Sequence, residues 1–475
     1  MNQPVCRLLK VKMIIMKFGG TSVGSAKEIL RVTDLIAGES RKKVVVVSAM
    51  AGITDRLEKI AKNIINLPAT VVEKEVEKSY REILSFHVST AKKAIKDKKI
   101  QKEVVKEITE LANELRITLL GIGYLEDLSP KSLDYILSFG ERLSVLILTG
   151  ALKSRGINAK SLTGYEAGII TNSRFGSARP IFKKIDKSIK KKLNPLLDKG
   201  ILPVVTGFIA ADEDARITTL GRGGSDFTAS LLARYLEAEE VQIWTDVDGI
   251  LSTDPRIVPN TSLISTISYV EAMDLAYFGA KVIHPMMIEP AMDANIPVRI
   301  KNTFNPKSEG TLIVREQKEV EGIIKAVTMT RDVVIVNLKG VGMAETPNIA
   351  ASVFTLLGDH NINIIMISGS SESNLSFVIK KSDLANTVNL LNTGFMANCI
   401  RNLELIEDSC IITIVGAGMR GTKGIAAKIF QTIADEDVNI IMIAQGSSEV
   451  NISLMVKESD GEKVLKALHK RFIEK

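Results

Sequence analysis

The stretch "TTLGRGGSDFTASLLARYL", Thr218 to Leu236, sets Gly221, Arg222, Gly223, Gly224, Ser225 and Asp226 between an extended run and a run with helical apolar spacing. A glycine turn that feeds a helix exposes backbone N–H groups and the positive end of the helix dipole, which together favour an anion. Arg222 adds a planar fork suited to a carboxylate, and Ser225 adds a hydroxyl. Asp226 is out of place beside an anion unless it orients a cationic group or a metal. A plain strand-to-helix turn would account for the glycines, but not for Arg, Ser and Asp in succession.

A second stretch, "MKFGGTSVGS" from Met16, puts Lys17, Gly19, Gly20, Thr21 and Ser22 at the carboxyl end of a short apolar run. In an open parallel sheet ligands bind at that end. Lysine beside a glycine loop suggests phosphate, yet the chain has no Gly-Lys dipeptide and so no Walker A sequence. Protein-kinase signatures are absent too. Phosphoryl transfer here requires a different fold.

The elements that must position these residues follow an alternating pattern. "MIIMKFGGTSVGSAKEILRVTDLI" reads as buried strand, glycine turn and helix, and "KKVVVVSAMAGITDRLEKIAKNI" from Lys42 repeats it. Extended runs return at "AGIIT" (Ala167), "ILPVVTGF" (Ile201), "VQIWTDV" (Val241) and "IPVRI" (Ile296). The implied architecture is α/β, a mainly parallel sheet covered on both faces. Residues 69–128 break the pattern with long charged amphipathic helices, a helical insertion. Trp244 reads as sheet packing.

At 475 residues, with 45% hydrophobic and 25% charged, the chain is too long for one core and fits the ordinary globular class. Lys and Arg number 62 against 55 Asp and Glu, but the basic residues are spread along solvated helices such as "KKAIKDKKIQKEVVKE". No recognition motif with interleaved aromatics accompanies them, which argues against nucleic acid. Cys6, Cys399 and Cys410 have neither disulfide nor metal spacing, consistent with a reducing cytoplasm. Residues 1–12 read as an optional leader, and no run is expected to span a membrane.

Beyond "NTFNPKSEGT" (Asn302 to Thr311) lies an internal repeat. "INIIMISGSSESNLSFVIKKSD" from Ile362 matches "VNIIMIAQGSSEVNISLMVKESD" from Val438, and "GVGM" at Gly340 matches "GAGM" at Gly416. The first copy carries a strand that the second lacks, so the missing strand of the second is expected before the first, at "TLIVRE" or "IIKAVTMT". The expected organisation is a first domain at 13–305, a connecting segment with that strand at 306–330, and repeats at 331–406 and 407–475. "GAGMRG" at Gly416, Gly418 and Gly421 looks like a dinucleotide fingerprint, but its acidic residues, Asp435 to Asp437, precede the next strand where such a fingerprint needs one at the strand's end. A small regulatory module is the better reading.

"MKFGGTSVGS", "VVSAMAGITD", "SFGERLS", "TTLGRGGSDFTA", "IWTDVDGILSTDPR" and "FGAKVIHP" occur in the order found in aspartokinases. From about Met13 to the C-terminus the chain resembles a monofunctional aspartokinase with tandem ACT domains. The resemblance implies the amino-acid-kinase fold followed by two α+β, ferredoxin-like ACT domains. It implies transfer of the ATP γ-phosphoryl group to the side-chain carboxylate of L-aspartate, giving 4-phospho-L-aspartate, the first step toward lysine, threonine and methionine. It further implies Mg2+ with the nucleotide and no protein-held metal, a homodimer or higher oligomer through the ACT domains, and lysine or threonine as effector.

Carried onto matching positions, the family roles make Lys17, Arg222 and Asp226 catalytic. Glu141 and Arg222 would hold aspartate's ammonium and α-carboxylate, with Ser48, Thr54, Gly223, Gly224 and Ser225 around them. Phe18, Gly19, Gly20, Thr21 and Ser22 would surround the phosphates with Lys17, and Thr245, Asp246, Arg256, Lys281 and Val282 would contact the nucleotide. A carboxylate nucleophile is already ionised at pH 7, so no histidine base is needed; His284 before Pro285 reads as structural. Two other readings compete: a kinase of the same fold for another carboxylate, and a non-catalytic ACT-type amino-acid sensor. The charge set Lys17, Arg222 and Asp226 argues against the sensor. The chain's end at Lys475, after the second repeat, argues against a homoserine dehydrogenase fusion.

Two departures from the family pattern stand out. Leu251 replaces a common tyrosine, and the first repeat reads "GVGMAETPNIA" and "ISGSSE" where a glycine-rich loop and "QGSSE" are usual. A one-residue deletion beside a strand shifts its register and reverses which side chains face inward. Glu345, Asn348 and the missing glutamine before Gly369 therefore imply weak or altered feedback inhibition.

Overall fold

The computed structural model describes residues 13–279, 288–315, 322–339, 349–371, 374–394 and 402–474. Contacts divide the chain into two compact units, Met1–Ile250 with Ile283–Arg315 and Leu251–Val282 with Glu316–Lys475.

In the first unit, strands β1 (Met13–Phe18), β2 (Lys42–Val47), β3 (Ala159–Leu162), β4 (Leu202–Thr206), β5 (Ile209–Ala211), β6 (Ile217–Thr219), β7 (Glu240–Thr245), β8 (Val298–Asn302) and β9 (Thr311–Val314) alternate with helices. Within this unit the strands of the main sheet run β3-β4-β2-β1-β7-β8-β9. Every pair is parallel except β8 with β9. All six residues of β1 are buried, as a parallel strand covered on both faces requires. β5 and β6 form a separate antiparallel pair.

The "AGIIT" segment is not a strand. It forms only isolated bridges, Ile170 with Ala211 and Thr171 with Pro180. Gly168, at φ 102°, keeps its chain in a turn, and the sheet takes Ala159–Leu162 instead.

Helices α1 (Ala26–Gly38), α2 (Ile53–Ile64), α3 (Ala69–Ala94), α4 (Lys98–Leu125), α5 (Pro130–Ser154), α6 (Phe182–Asp198) and α7 (Gly224–Leu236), with a one-turn helix at Glu289–Asp293, belong to this unit. α3 and α4 are the helical insertion. Asp97 caps α4 by accepting from the N–H groups of Lys99 and Ile100 at 2.8 and 3.0 Å. Glu114 of α4 receives Arg142 of α5 at 3.0 Å and the Tyr135 hydroxyl, so the insertion braces α5. α5 itself starts on a Ser129 cap with Pro130 behind it. Contrary to the sequence expectation, α5 is long and apolar enough to cross a membrane, but 83% of its apolar window is buried inside the fold. It is a core helix.

The second unit holds α8 (Tyr269–Tyr277), β10 (Ala326–Lys339), α9 (Ile349–Asp359), β11 (Met366–Ser371), β12 (Asn374–Lys380), α10 (Leu384–Gly394), β13 (Asn402–Val415), α11 (Ile425–Asp435), β14 (Met442–Ala444), β15 (Asn451–Val456) and α12 (Glu458–Phe472). Six of its strands form one sheet in the order β11-β12-β10-β13-β15-β14. Two long strands are shared between the repeats. Val333–Lys339 pairs with β12 of the first repeat, while Ala326–Thr330 pairs along Ile411–Val415 of the second. Residues 251–279, which the sequence groups with the first domain, pack here because their apolar side chains do. Val258 joins the core under α11 and α12, and Phe278 packs with Val333, Met366 and Met455.

Candidate active site

The site is built at the carboxyl ends of β1 and β2, where the parallel strands hand over to glycine turns. A cavity of about 600 Å³ opens there. Its walls include Lys17, Gly20, Ser48, Thr54, Glu141 and the run Arg222 to Asp226. The two stretches singled out in the sequence thus meet in space.

Lys17 leaves the buried strand β1 and pairs with Asp226 at 2.5 Å, both side chains being about nine-tenths buried. Asp226 stands in the first turn of α7, where a carboxylate complements the helix dipole. Gly223 starts that helix at φ 70°, a left-handed conformation that glycine adopts without strain. Arg222, just before it, is exposed on the cavity wall and makes no ion pair among the described residues. The site therefore pairs one cation internally and leaves another for a ligand.

Glu141 faces them from α5, 3% exposed. Burial pushes its carboxyl up to about 8, against the pull of a hydrogen bond from the Ala49 backbone. Its Oε2 has no hydrogen-bond partner among the described residues. A buried carboxylate oxygen without a partner is costly, and a ligand cation would remove that cost.

Several residues expected here lie elsewhere. Phe18 is fully buried and stacks on Trp244, ring centroids 5.8 Å apart. Ser22 is also buried; its hydroxyl donates to the Trp244 carbonyl at 3.2 Å and shares a 2.7 Å hydrogen bond with Thr303. Both serve the interior: Phe18 ends a strand buried on both sides, and Ser22 lies in the short helical turn Thr21–Val23 with its side chain buried. Gly19 donates its N–H to the Trp244 carbonyl at 3.0 Å, and Thr21 is exposed beside it. Thr245 ends β7, next to β1 in the sheet, and Asp246 follows it, with the Thr245 hydroxyl donating to Asp246 at 3.1 Å. None of these six is on the cavity wall. Arg256 belongs to the second unit and is bound by its neighbour Asp254 at 2.6 Å. Lys281 and Val282 lie outside the described residues.

Asp134 and Gly176, outside the motifs, and Thr219, inside one but given no role, also line the cavity. Asp134 carried a signal: an acid seven residues before Glu141 on a largely apolar helix, hence on the same face.

A model of the amino acid kinase family matches residues 12–302, and an ACT domain model matches 336–395 and 412–472. The chain is 32% identical over 468 residues to Aspartokinase 2, chloroplastic, of Arabidopsis thaliana, covering 97% of this chain and 84% of that one. The crystal structure of E. coli aspartokinase III in complex with aspartate and ADP (R-state) matches with a TM-score of 0.81 at 30% identity, covering 97% of this chain and 99% of that one. The same enzyme in complex with lysine and aspartate (T-state) also matches at 0.81 and 30%, covering 97% and 100%. With the kinase model over more than half its length and an aspartokinase over nearly all of it, this chain belongs to the aspartokinases of the amino acid kinase family.

Proposed function

We propose that the cavity between β1, α5 and α7 binds L-aspartate and that the chain transfers the ATP γ-phosphoryl group to aspartate's side-chain carboxylate. The observation that carries this reading is the buried Glu141, with one oxygen unpartnered, in the same cavity as the exposed Arg222. An α-amino acid offers the complement: an ammonium for Glu141 and an α-carboxylate for the Arg222 fork. Ser48, Thr54, Gly223, Gly224 and Ser225 surround that head group.

The reaction is an in-line displacement. A side-chain carboxylate oxygen attacks the γ-phosphorus, the bond to the bridging oxygen breaks, and ADP leaves with the electron pair. No proton moves, so catalysis consists of aligning two anions and neutralising their charge. Lys17 would contact the transferring group, held in place by Asp226, and the backbone of Gly19 to Thr21 with Thr245 and Asp246 would meet the nucleotide. No cluster of three or more metal-binding side chains occurs among the described residues. The site suits Mg2+ carried in on the phosphates, which needs one or two carboxylates at most, and Asp226 is placed to serve. When bound, that ion would supply charge neutralisation at the phosphate oxygens.

The paired ACT modules make amino-acid control the natural regulatory mode, with lysine or threonine as the effector class and a homodimer or larger assembly as the working form in the cytoplasm. Aspartyl phosphate trapped as its hydroxamate tests the catalytic reading. Wild-type protein should give an aspartate-dependent product that Lys17→Ala abolishes; no product under any condition would refute it.

A further inference from the structure

Asp134 holds two separate segments at once. It is 1% exposed. The Gly176 N–H donates to its Oδ1 and Oδ2 at 3.0 and 2.9 Å. The Thr219 N–H donates to Oδ2 at 2.9 Å, and the Thr219 hydroxyl donates to Oδ1 at 2.7 Å. Thr219 is the last residue of β6, directly before the turn that carries Arg222. The Gly176 segment packs against the same turn, since a Cβ on Gly221 would lie 3.7 Å from the Gly176 carbonyl oxygen.

Asp134 and Glu141 share α5. Seven residues are nearly two full turns, which puts both on one face about 10 Å apart along the axis. One helix face therefore offers a carboxyl to the ligand and, two turns earlier, ties down the base of the opposite wall.

We propose that Asp134 is a positioning residue that sets the separation between the group receiving the amino acid's ammonium and the turn receiving its α-carboxylate. This rests on the reading of the cavity as the aspartate site. Both Asp134 oxygens are taken up by Thr219 and Gly176, so on this proposal it acts through those two residues on the placement of Arg222. A charge-assisted clamp buried in low dielectric holds more firmly than neutral hydrogen bonds would. Replacing it by an amide turns an NH2 group toward N–H donors and loosens the turn.

Steady-state kinetics with the full chain, alongside thermal melts, test the proposal. Asp134→Asn should raise the KM for aspartate about tenfold, with kcat and the KM for ATP within about twofold of wild type. Thr219→Val, which loses only the hydroxyl bond, should raise the aspartate KM about threefold, and Thr219→Ser should restore it. The double variant Asp134→Asn with Thr219→Val should be no worse than Asp134→Asn alone, because both break one linkage. If Asp134→Asn fails to fold, the Thr219 pair carries the test. An unchanged aspartate KM in the folded variants, an equal rise in both KM values with a fall in kcat, or strict additivity would overturn the proposal in an active enzyme. Wild-type protein without aspartate-dependent turnover would overturn the underlying reading, and this proposal with it.

Discussion

Two glycine turns at strand ends, Gly221 to Gly224 and Gly416 to Gly421, look alike in sequence and do opposite things. The first leaves its helix start, Arg222 and Ser225 facing a cavity. The second is filled by the protein itself. A Cβ on Gly416 would strike the Ile323 carbonyl oxygen at 2.2 Å, and one on Gly418 would meet the Gly322 oxygen at 2.8 Å. The Ala417 N–H that a phosphate would seek instead donates to Glu271 at 2.6 Å. Glu271 also accepts from Ser268 and from the buried Lys325 at 3.3 Å. A glycine loop thus becomes a ligand site only where the space in front of it is left open. Glycine at 416 and 418 serves close chain approach, and the dinucleotide resemblance of that loop has no room behind it.

The comparison breaks most readily at the open turn. Lys17→Ala should cut kcat by roughly 10³-fold, the scale of losing a preorganised charge at a transferring group. Arg222→Ala should act mainly on the aspartate KM, by about a hundredfold, since a bidentate contact to a charged group is lost. Hydroxamate kinetics check both. If Arg222→Ala changed only the KM for ATP, the turn would be serving the nucleotide.

At the closed turn the expected effect is on stability. Glu271→Ala removes the carboxylate shared by Lys325, Ser268 and the Ala417 N–H, and should destabilise the second unit by about 3 kcal/mol or more. Hydrogen exchange at the Ala417 amide should accelerate in parallel. Unchanged protection there would mean that the carboxylate does not close the turn.

Glu141 gives a smaller effect with a defined sign. Its folded pKa of about 8 lies above its ordinary value of 4.5, so the protonated form is the one that the fold favours. Its contribution to stability is full below about pH 4.5 and is lost as pH rises through about 8. Glu141→Gln should therefore melt higher than wild type at pH 9, with the gap closing toward pH 5, while aspartate binding is lost. A gap of the opposite sign would show that the carboxyl is stabilised in its charged form. The smallest expected effect concerns feedback. Half-inhibition by lysine or threonine should require millimolar or higher concentration; strong inhibition below that would show that the altered first repeat leaves its effector pocket intact. Glu345 and Asn348, on which that expectation rests, lie outside the described residues.

The charge-bearing parts of the site were legible because Lys17, Arg222 and Asp226 sit beside glycines, where bulk and charge have no packing role to explain them. The β-α alternation was legible for the same kind of reason: β1 and β2 are continuous apolar runs, the mark of parallel strands buried on both faces. Phe18 and Ser22 face the interior and not the cavity, which a contiguous motif does not reveal: Phe18 stacks on Trp244, and Ser22 bonds to Trp244 and Thr303. Asp134 was missed because its partners, Gly176 and Thr219, lie 42 and 85 residues away in sequence, and only the fold brings them together. The "AGIIT" run has strand composition, but its backbone turns at Gly168, φ 102°, and that turn competes with pairing.

Aspartate binding measured by calorimetry at pH 7.5, in two buffers of different ionisation enthalpy, tests most directly whether the open turn and Glu141 together receive the amino acid. A carboxyl with a pKa near 8 is mostly protonated at that pH, and it must ionise to accept an ammonium. Wild type should release protons on binding, and Glu141→Gln should bind far more weakly and release none. Tight binding without proton release, or equal affinity in Glu141→Gln, would contradict the account.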